Sequence, residues 1–151
     1  MSSAELTERW NDVLADTDAT AQAYRDRGWT AIALHPGDVN AVIEEARLHV
    51  LLPGSEFDEA NEHVDPETLD GVRVYGANEG STRFRLVVAE NGTEEVAVCV
   101  PVFVLGTETE DLRDAAERAG GITIRLRPLD DRDHVEFGVT DPDVFFDPLE
   151  R

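Results

Sequence analysis

Apolar residues recur along this chain with two different periods, and the change of period divides it. From Leu6 through Trp10, Val13, Leu14, Ala21 and Tyr24 the spacing is that of one face of a helix. Ser2 and Glu5 form a capping-box pair ahead of this stripe, and Gly28 stands where a left-handed C-terminal residue belongs. The pattern predicts a helix over about residues 3–27. Trp29 to Leu34 reads as a strand, and His35-Pro36-Gly37-Asp38 as a turn in which Pro presets φ. Asp38 is then placed to cap a short helix with Val39, Val42, Ile43 and Ala46 on one face. Leu48 to Leu52 reads as a second strand. Ser55 and Asp58 make another capping box, ahead of a helix that buries Phe57, Ala60 and Val64.

From Gly71 onward the period becomes two. Val72 and Val74 alternate with Arg73 and Tyr75, and Phe84, Leu86 and Val88 alternate with Arg83, Arg85 and Val87. Asn91-Gly92 marks a hairpin into the strand Glu94–Val100. A three-residue loop with Gly92 left-handed pairs 86 with 96 and 84 with 98, which gathers Phe84, Leu86, Val88, Val96 and Val98 on one face. A two-residue loop mixes the faces, so the pattern favours the longer one. Pro101 should end the ladder or lie on an edge. Leu112, Ala115, Ala116 and Ala119 predict a helix over about 108–119, stopped by Gly120-Gly121. Ile122, Ile124 and Leu126 then alternate with Thr123, Arg125 and Arg127, and Val135, Phe137 and Val139 with His134 and Glu136. The tail from Asp141 to Phe146 reads as a turn followed by two aromatics docking on the core. No repeat or linker interrupts residues 1–151, and the expectation is a single α+β domain: a largely antiparallel sheet with helices packed on one face.

Composition changes this picture in one respect. The chain of 151 residues has no lysine; 13 arginines face 33 acidic residues, for a net charge of -20. Such a charge makes a compact protein repel itself at ordinary ionic strength. At molar salt the Debye length shrinks to roughly 3 Å and most of the repulsion vanishes. The composition therefore predicts a halophilic protein. With no export signal in MSSAELTERW and no apolar run long enough to span a bilayer, it also predicts a cytoplasmic protein that is not membrane-bound.

Missing residues exclude chemistries. Without lysine there is no Schiff base, no P-loop lysine and no lysine-activated serine. No two glycines stand two apart, so no GxGxxG dinucleotide fingerprint occurs, and no serine lies in GxSxG. The one cysteine, Cys99, cannot form an internal disulfide or a cysteine-rich zinc site and reads as a small buried hydrophobe. No cofactor is expected. Nucleic acid is not an expected partner, because the net charge opposes it and no basic-aromatic stripe is present. Mimicry of DNA by the acidic surface is not needed, since halophily already accounts for the acid. Asn91-Gly92-Thr93 matches a glycosylation sequon but is read as the hairpin turn.

The candidate reactive groups each have a plainer reading. Glu59 and His63 lie one helical turn apart and can share a metal, but no second histidine falls at ligand spacing, so a solvated helix face is expected. His134 with Glu136 can act as a base with its orienting group, or form a surface ion pair. His35 beside Asp38 can carry a proton, or simply sit in a turn. Arg73, Arg83, Arg85, Arg125 and Arg127 form the more informative pattern, since all fall on the non-core parity of predicted strands. Arginine forks bind carboxylate and phosphate bidentately, so such a face suits an anionic ligand or an acidic protein partner. The plainer reading is a ladder of cross-strand ion pairs, with Arg85 diagonal to Glu95 and Glu136 neutralising another arginine. The stretch 72–128 is also the least acidic, with 9 acidic residues against 7 arginines.

Trp10 to Asp16, Tyr24 through Gly28-Trp29, His35-Pro36-Gly37-Asp38, Arg127-Pro128-Leu129 and Asp141-Pro142 through Phe145-Phe146 together resemble a family of small acidic haloarchaeal proteins with no assigned function. These motifs are turns, caps and core aromatics. The resemblance therefore implies a habitat and a single domain, and it carries over no catalytic residue. The leading expectation is a non-enzymatic binding or interaction module that forms a homo-oligomer and uses the arginine-bearing face. The alternative is a small enzyme acting on an anionic metabolite with His134 or His35 as base, which requires a concave pocket holding a histidine among the arginines. Circular dichroism is expected to show loss of secondary structure as KCl falls from molar to about 0.1 M. An unchanged spectrum over that range would show that the acidic composition has another cause.

Overall fold

Each strand of this protein must find a partner for its backbone and a cover for its apolar face, and two sheets satisfy both needs. The computed structural model describes residues 3–150, and the side chains of all of these except 77–79. Ser2, half of the first expected capping box, lies outside the described residues. The elements in order are α1 (Ser3–Asp26), β1 (Thr30–Ala33), β2 (Asp38–Val42), a 3-10 turn (Ile43–Glu45), β3 (Arg47–Leu52) and α2 (Gly54–His63). There follow β4 (Gly71–Glu79), β5 (Thr82–Asn91), β6 (Val96–Val104), α3 (Gly106–Ala119), β7 (Ile122–Pro128), β8 (Val135–Val139) and α4 (Pro142–Phe146). Sheet A has the order β1-β6-β5-β4 and sheet B the order β2-β3-β7-β8. Pairing is antiparallel except between β1 and β6 and between β3 and β7. The α+β class and the prevalence of antiparallel pairing are as the periodicity predicts. The division of the strands into two mixed sheets was not visible in it.

Sheet A is apolar on both faces. Ile32, Val74, Val87, Ala89, Val98, Val100 and Val102 face the inner sides of Leu48, Val50, Leu52, Ile124, Leu126 and Phe137 in sheet B. On the opposite face Ala31, Leu86, Val88, Ala97 and Cys99 pack against Ala21 and Tyr24 of α1. Trp10 of α1 meets Phe103 edge-on, with ring centroids 5.3 Å apart. Each buried Val, Leu or Phe contributes roughly 1.5–3 kcal/mol, so covering the second face with α1 matters as much as the sandwich itself. The remaining helices bury Phe57, Ala60, Leu112, Ala115, Ala116, Phe145 and Phe146 in the core shared by the sheets.

Burial of both faces overturns the expected hairpin. The observed register pairs Leu86 with Pro101, Phe84 with Phe103 and Asn91 with Val96, leaving Gly92 to Glu95 as the loop. Glu95, at φ 55, is the left-handed residue, and the Asn91 side chain accepts from Glu94 N at 3.0 Å. The expected pairing of 86 with 96 assumed one polar face, and sheet A has none. Pro101 lies in β6 past the last bond from the β1 side, Leu34 N to Cys99 O at 3.1 Å. Residues 99 and 101 direct their main-chain groups to the same side, so the missing N–H of Pro101 falls on an edge as expected.

Two local expectations fail for a similar reason. Residues 38–42 form a strand rather than a helix, since pairing with β3 satisfies their backbone while Val39 turns inward. The Asp38 carboxylate accepts from the next N–H, Val39 N, at 2.9 Å and caps no helix. Helix α2 starts after Pro53, not at Ser55, and still buries Phe57, Ala60 and Val64. Gly120 ends α3 in the left-handed conformation at φ 82, and Phe145 and Phe146 are buried, both as expected.

Arg85 carries the largest correction. It shares the inward parity of Val87 and Ala89 and is fully buried. Its Nε donates to Phe145 O at 2.6 Å, Nη1 to Phe84 O at 2.9 Å and Nη2 to Phe146 O at 3.2 Å. Two of these acceptors are carbonyls that the end of α4 leaves without an intrahelical donor. Burial pushes the guanidinium down to about 10, helped by the charge of Arg83 and opposed by Asp147, so it stays protonated at neutral pH. Gly76 lies directly opposite in the ladder, and a Cβ there would stand 2.6 Å from Phe84 O and 2.8 Å from Arg85 Cδ. Arg85→Ala is expected to cost about 3 kcal/mol through stranded carbonyls and a cavity. Gly76→Ala is expected to destabilise in the same direction. Chemical denaturation checks both, and wild-type midpoints would refute the assignment of Arg85 as the latch of the C-terminal segment.

Candidate anion-binding face

Sheet B alternates cleanly. Leu48, Val50 and Leu52 in β3, and Ile122, Ile124, Leu126 and Pro128 in β7, point into the core. Arg47, His49 and Leu51, with Thr123, Arg125 and Arg127, therefore stand on the outer face. No helix buries its apolar side chains there: α1 packs on sheet A, and α2, α3 and α4 pack into the shared core. The parallel register sets His49 beside Arg125, Arg47 beside Thr123 and Leu51 beside Arg127. Asn40 of β2 flanks His49 on one side, and Glu136 of β8 flanks Arg125 on the other.

One carboxylate serves two of these cations. Glu136 Oε1 lies 3.1 Å from Arg125 Nη1 and 3.6 Å from Arg47 Nε. Arg125 Nη2 donates to His134 Nδ1 at 3.0 Å. At the margins Arg47 pairs with Glu45, and Arg127 Nη1 lies 3.6 Å from Asp131 Oδ1. The three arginine side chains are about one quarter exposed, which keeps their charges less screened than free surface charges. Among the described residues, the buried side-chain nitrogens and oxygens without a hydrogen-bond partner are Thr20 Oγ1, Arg47 Nε, His49 Nε2 and Arg125 Nε. Three of these four belong to this one patch. Burial lowers the His49 pKa, and the charges of Arg125, Arg127 and Arg47 lower it further, so its imidazole is neutral near neutral pH.

The five arginines singled out by parity do not share a face. Arg125 and Arg127 lie on the outer face of sheet B. Arg73 is exposed on the α1 side of sheet A, its Nε 3.1 Å from Glu90 Oε1, an oxygen that also accepts from Tyr24 OH at 2.6 Å. Arg83 donates to Gly80 O at 3.2 Å, and Arg85 is the buried latch, far from the expected partner Glu95 in register. Arg47 and His49 were missed, although they alternate with Leu48 and Val50 in the same way as the arginines of β7. The short β3 segment was read from its apolar members alone.

The histidine candidates also separate. His134 and Glu136 both join the face, each through Arg125. His35 does not pair with Asp38. Its Nδ1 lies 2.8 Å from Glu56 Oε2, its Nε2 2.8 Å from Asp18 Oδ1, and its backbone N donates to Glu56 Oε1 at 2.6 Å. The ring thus ties α1 and α2 to the β1–β2 connection. No group of three or more His, Cys, Asp or Glu among the described residues is placed to hold a metal ion, Glu59 and His63 included. A groove of about 380 Å³ lies between Leu69–Val72 and β8, with Asp70 and Asp141 at its wall and neither histidine nor arginine in its lining. No helix of the described residues is long and apolar enough to cross a membrane.

Over residues 1–147 the chain matches the Family of unknown function (DUF7529), and it belongs to that family. No curated protein and no solved structure matches it.

The His35 bridge has a pH signature. Burial, the largest single influence, lowers the His35 pKa, but the hydrogen bonds and charges of Glu56 and Asp18 together outweigh it and raise the value above 6.5. A raised folded pKa gives stability that is fully present below the unfolded value and lost as pH climbs through the folded one. Stability is therefore expected to fall as pH rises above about 6.5, and His35→Gln is expected to flatten that slope. Denaturation midpoints across pH check this; equal slopes in both proteins would refute it.

Proposed function

We propose that this member of the family is a non-enzymatic binding module that captures an anionic group on the outer face of sheet B. The observation that carries the reading is the grouping of Arg47, Arg125 and Arg127 around His49 on this face, with the one carboxylate of Glu136 shared between two of the three guanidiniums. The guanidinium N–H groups of this face are donors only, and an oxyanion offers only acceptors. Arg127, next along β7, widens the charged patch. The ligand class is an anionic small molecule or an acidic protein partner. A second copy of a chain with net charge -20 is itself an acidic partner, so a homo-oligomer through this face belongs to the same proposal. The setting is a cytoplasm at molar salt, where long-range steering is weak and short contacts to half-buried arginines carry the affinity.

The enzymatic alternative finds less support. His35 is held between two carboxylates and away from the arginines, and His134 stands exposed at the margin of a sheet face rather than in a pocket. The groove between Leu69–Val72 and β8 holds no base among cations.

Binding of methoxypyrenetrisulfonate, a fluorescent trianion, can be followed by anisotropy at molar KCl. Arg125→Gln with Arg127→Gln is expected to weaken it by about tenfold or more, since a charge-assisted hydrogen bond is worth roughly 1.5–3 kcal/mol. Arg73→Gln with Arg83→Gln is expected to leave it unchanged. Equal affinities in all three proteins would overturn the reading, and sedimentation of the same variants tests whether a second copy occupies the face.

A further inference from the structure

We propose that His49 is the proton-responsive member of this face: an oxyanion seated against Arg125 and Arg127 binds together with a proton on the His49 imidazole, so occupancy rises as pH falls. The inference rests on the reading of the face as an anion site.

The position of His49 supports it. Its ring stands beside Arg125 in the parallel register, with Arg127 diagonal to it and Arg47 two residues back on its own strand. From the turn before β3 the charged neighbour is Glu45, which pairs with Arg47. From β8 the neighbours are Glu136, shared between Arg125 and Arg47, and His134, bonded to Arg125. From β2 come the Asn40 amide and Asp38, whose carboxylate accepts from Val39 N and the Asn40 side chain. Each neighbouring carboxylate is thus engaged elsewhere, and His49 Nε2 is buried without a partner.

Protonating this ring without a bound anion adds a fourth cation to three guanidiniums. Burial and those three charges accordingly hold the imidazole neutral. An oxyanion on the face cancels part of the arginine field and so removes part of what opposes the proton. The proton is then bound more tightly with the anion than without it, and by reciprocity the anion binds more tightly to the protonated face. Each unit by which the bound pKa exceeds the free one is tenfold in affinity. His35, whose ring is already satisfied by Asp18 and Glu56, provides the internal contrast.

The test uses the full chain at molar KCl with methoxypyrenetrisulfonate, whose sulfonates do not titrate between about pH 5 and pH 8. The dissociation constant is expected to fall about tenfold from the upper to the lower end of that range. Calorimetry in two buffers of different ionisation enthalpy is expected to show proton uptake on binding. In His49→Gln binding is expected to persist without the pH dependence. Proton resonances report on the wild-type protein should that variant fold poorly: the His49 ring shifts toward the protonated form on adding the anion, and the His35 ring does not. Saturable binding with no pH dependence and no proton uptake would overturn the role of His49 and leave the anion site standing. Retained pH dependence in His49→Gln would also overturn it. No saturable binding at any pH would overturn both readings.

Discussion

Burial of sheet A on both of its faces is the constraint on which the other features depend. Its inner face meets sheet B and its outer face is covered by α1, so the middle of β5 and β6 has no side open to water. A charged residue that falls within them must be satisfied by the interior. Arg85 is the one that does so, and it is accommodated because Gly76 leaves room opposite and the end of α4 offers carbonyls. Removing a buried cation from water is expensive, and acceptors already without donors are the cheapest compensation available. The C-terminal aromatics, the edge strand β4 and the centre of sheet A are thereby joined through a single side chain. Leu149 extends the same joint, its N–H donating to Val74 O and its carbonyl accepting from Gly76 N.

With sheet A closed, the outer face of sheet B is the sheet surface that remains open, and its chemistry differs from the rest of the molecule. A chain with 33 acidic residues places Arg47, Arg125 and Arg127 around one histidine there, with Glu136 as the carboxylate set among them. Ion pairs at such partial exposure stabilise a fold only slightly. The structure does pair Glu136 with Arg125 and Arg47, as the ion-pair reading expects, and sharing one carboxylate between two arginines leaves donors over. The two histidines near the sheets show how environment divides one side-chain type into two roles. The carboxylates around His35 raise its pKa and the ring joins two helices; burial and the guanidiniums around His49 lower its pKa.

Much of this was legible in particular residues. Gly28 and Gly120 end α1 and α3 where their left-handed conformation is required, at φ 88 and φ 82. The Phe145-Phe146 pair docks as its composition implies, and Arg125 and Arg127 take the outward side that their alternation implies. What misled was the assumption that every strand has one wet side. That assumption placed Arg85 outward and chose a hairpin register shifted from the true one. The signal was present in β5 and β6, where both parities are apolar from Leu86 to Ala89 and from Val96 to Cys99, the mark of strands covered on both faces. Residues 38–42 misled differently, because five residues fit a helical and an extended pattern equally well until a partner strand is known.

The sequence by itself determined the long helices α1 and α3 and their glycine stops, the alternation of most strands and the chemistries that a chain without lysine cannot perform. These follow from local backbone preferences and from residue inventory, which need no knowledge of neighbours. Only the tertiary structure decided which strands share a sheet, which face each sheet leaves open, and that Arg47 and His49 stand beside Arg125. A strand's alternation says that it has two sides, but what covers each side is decided by packing between segments far apart in the chain. His49 and Arg125 are separated by most of sheet A in sequence and by one parallel register in space, and it is that long-range pairing that builds the candidate site.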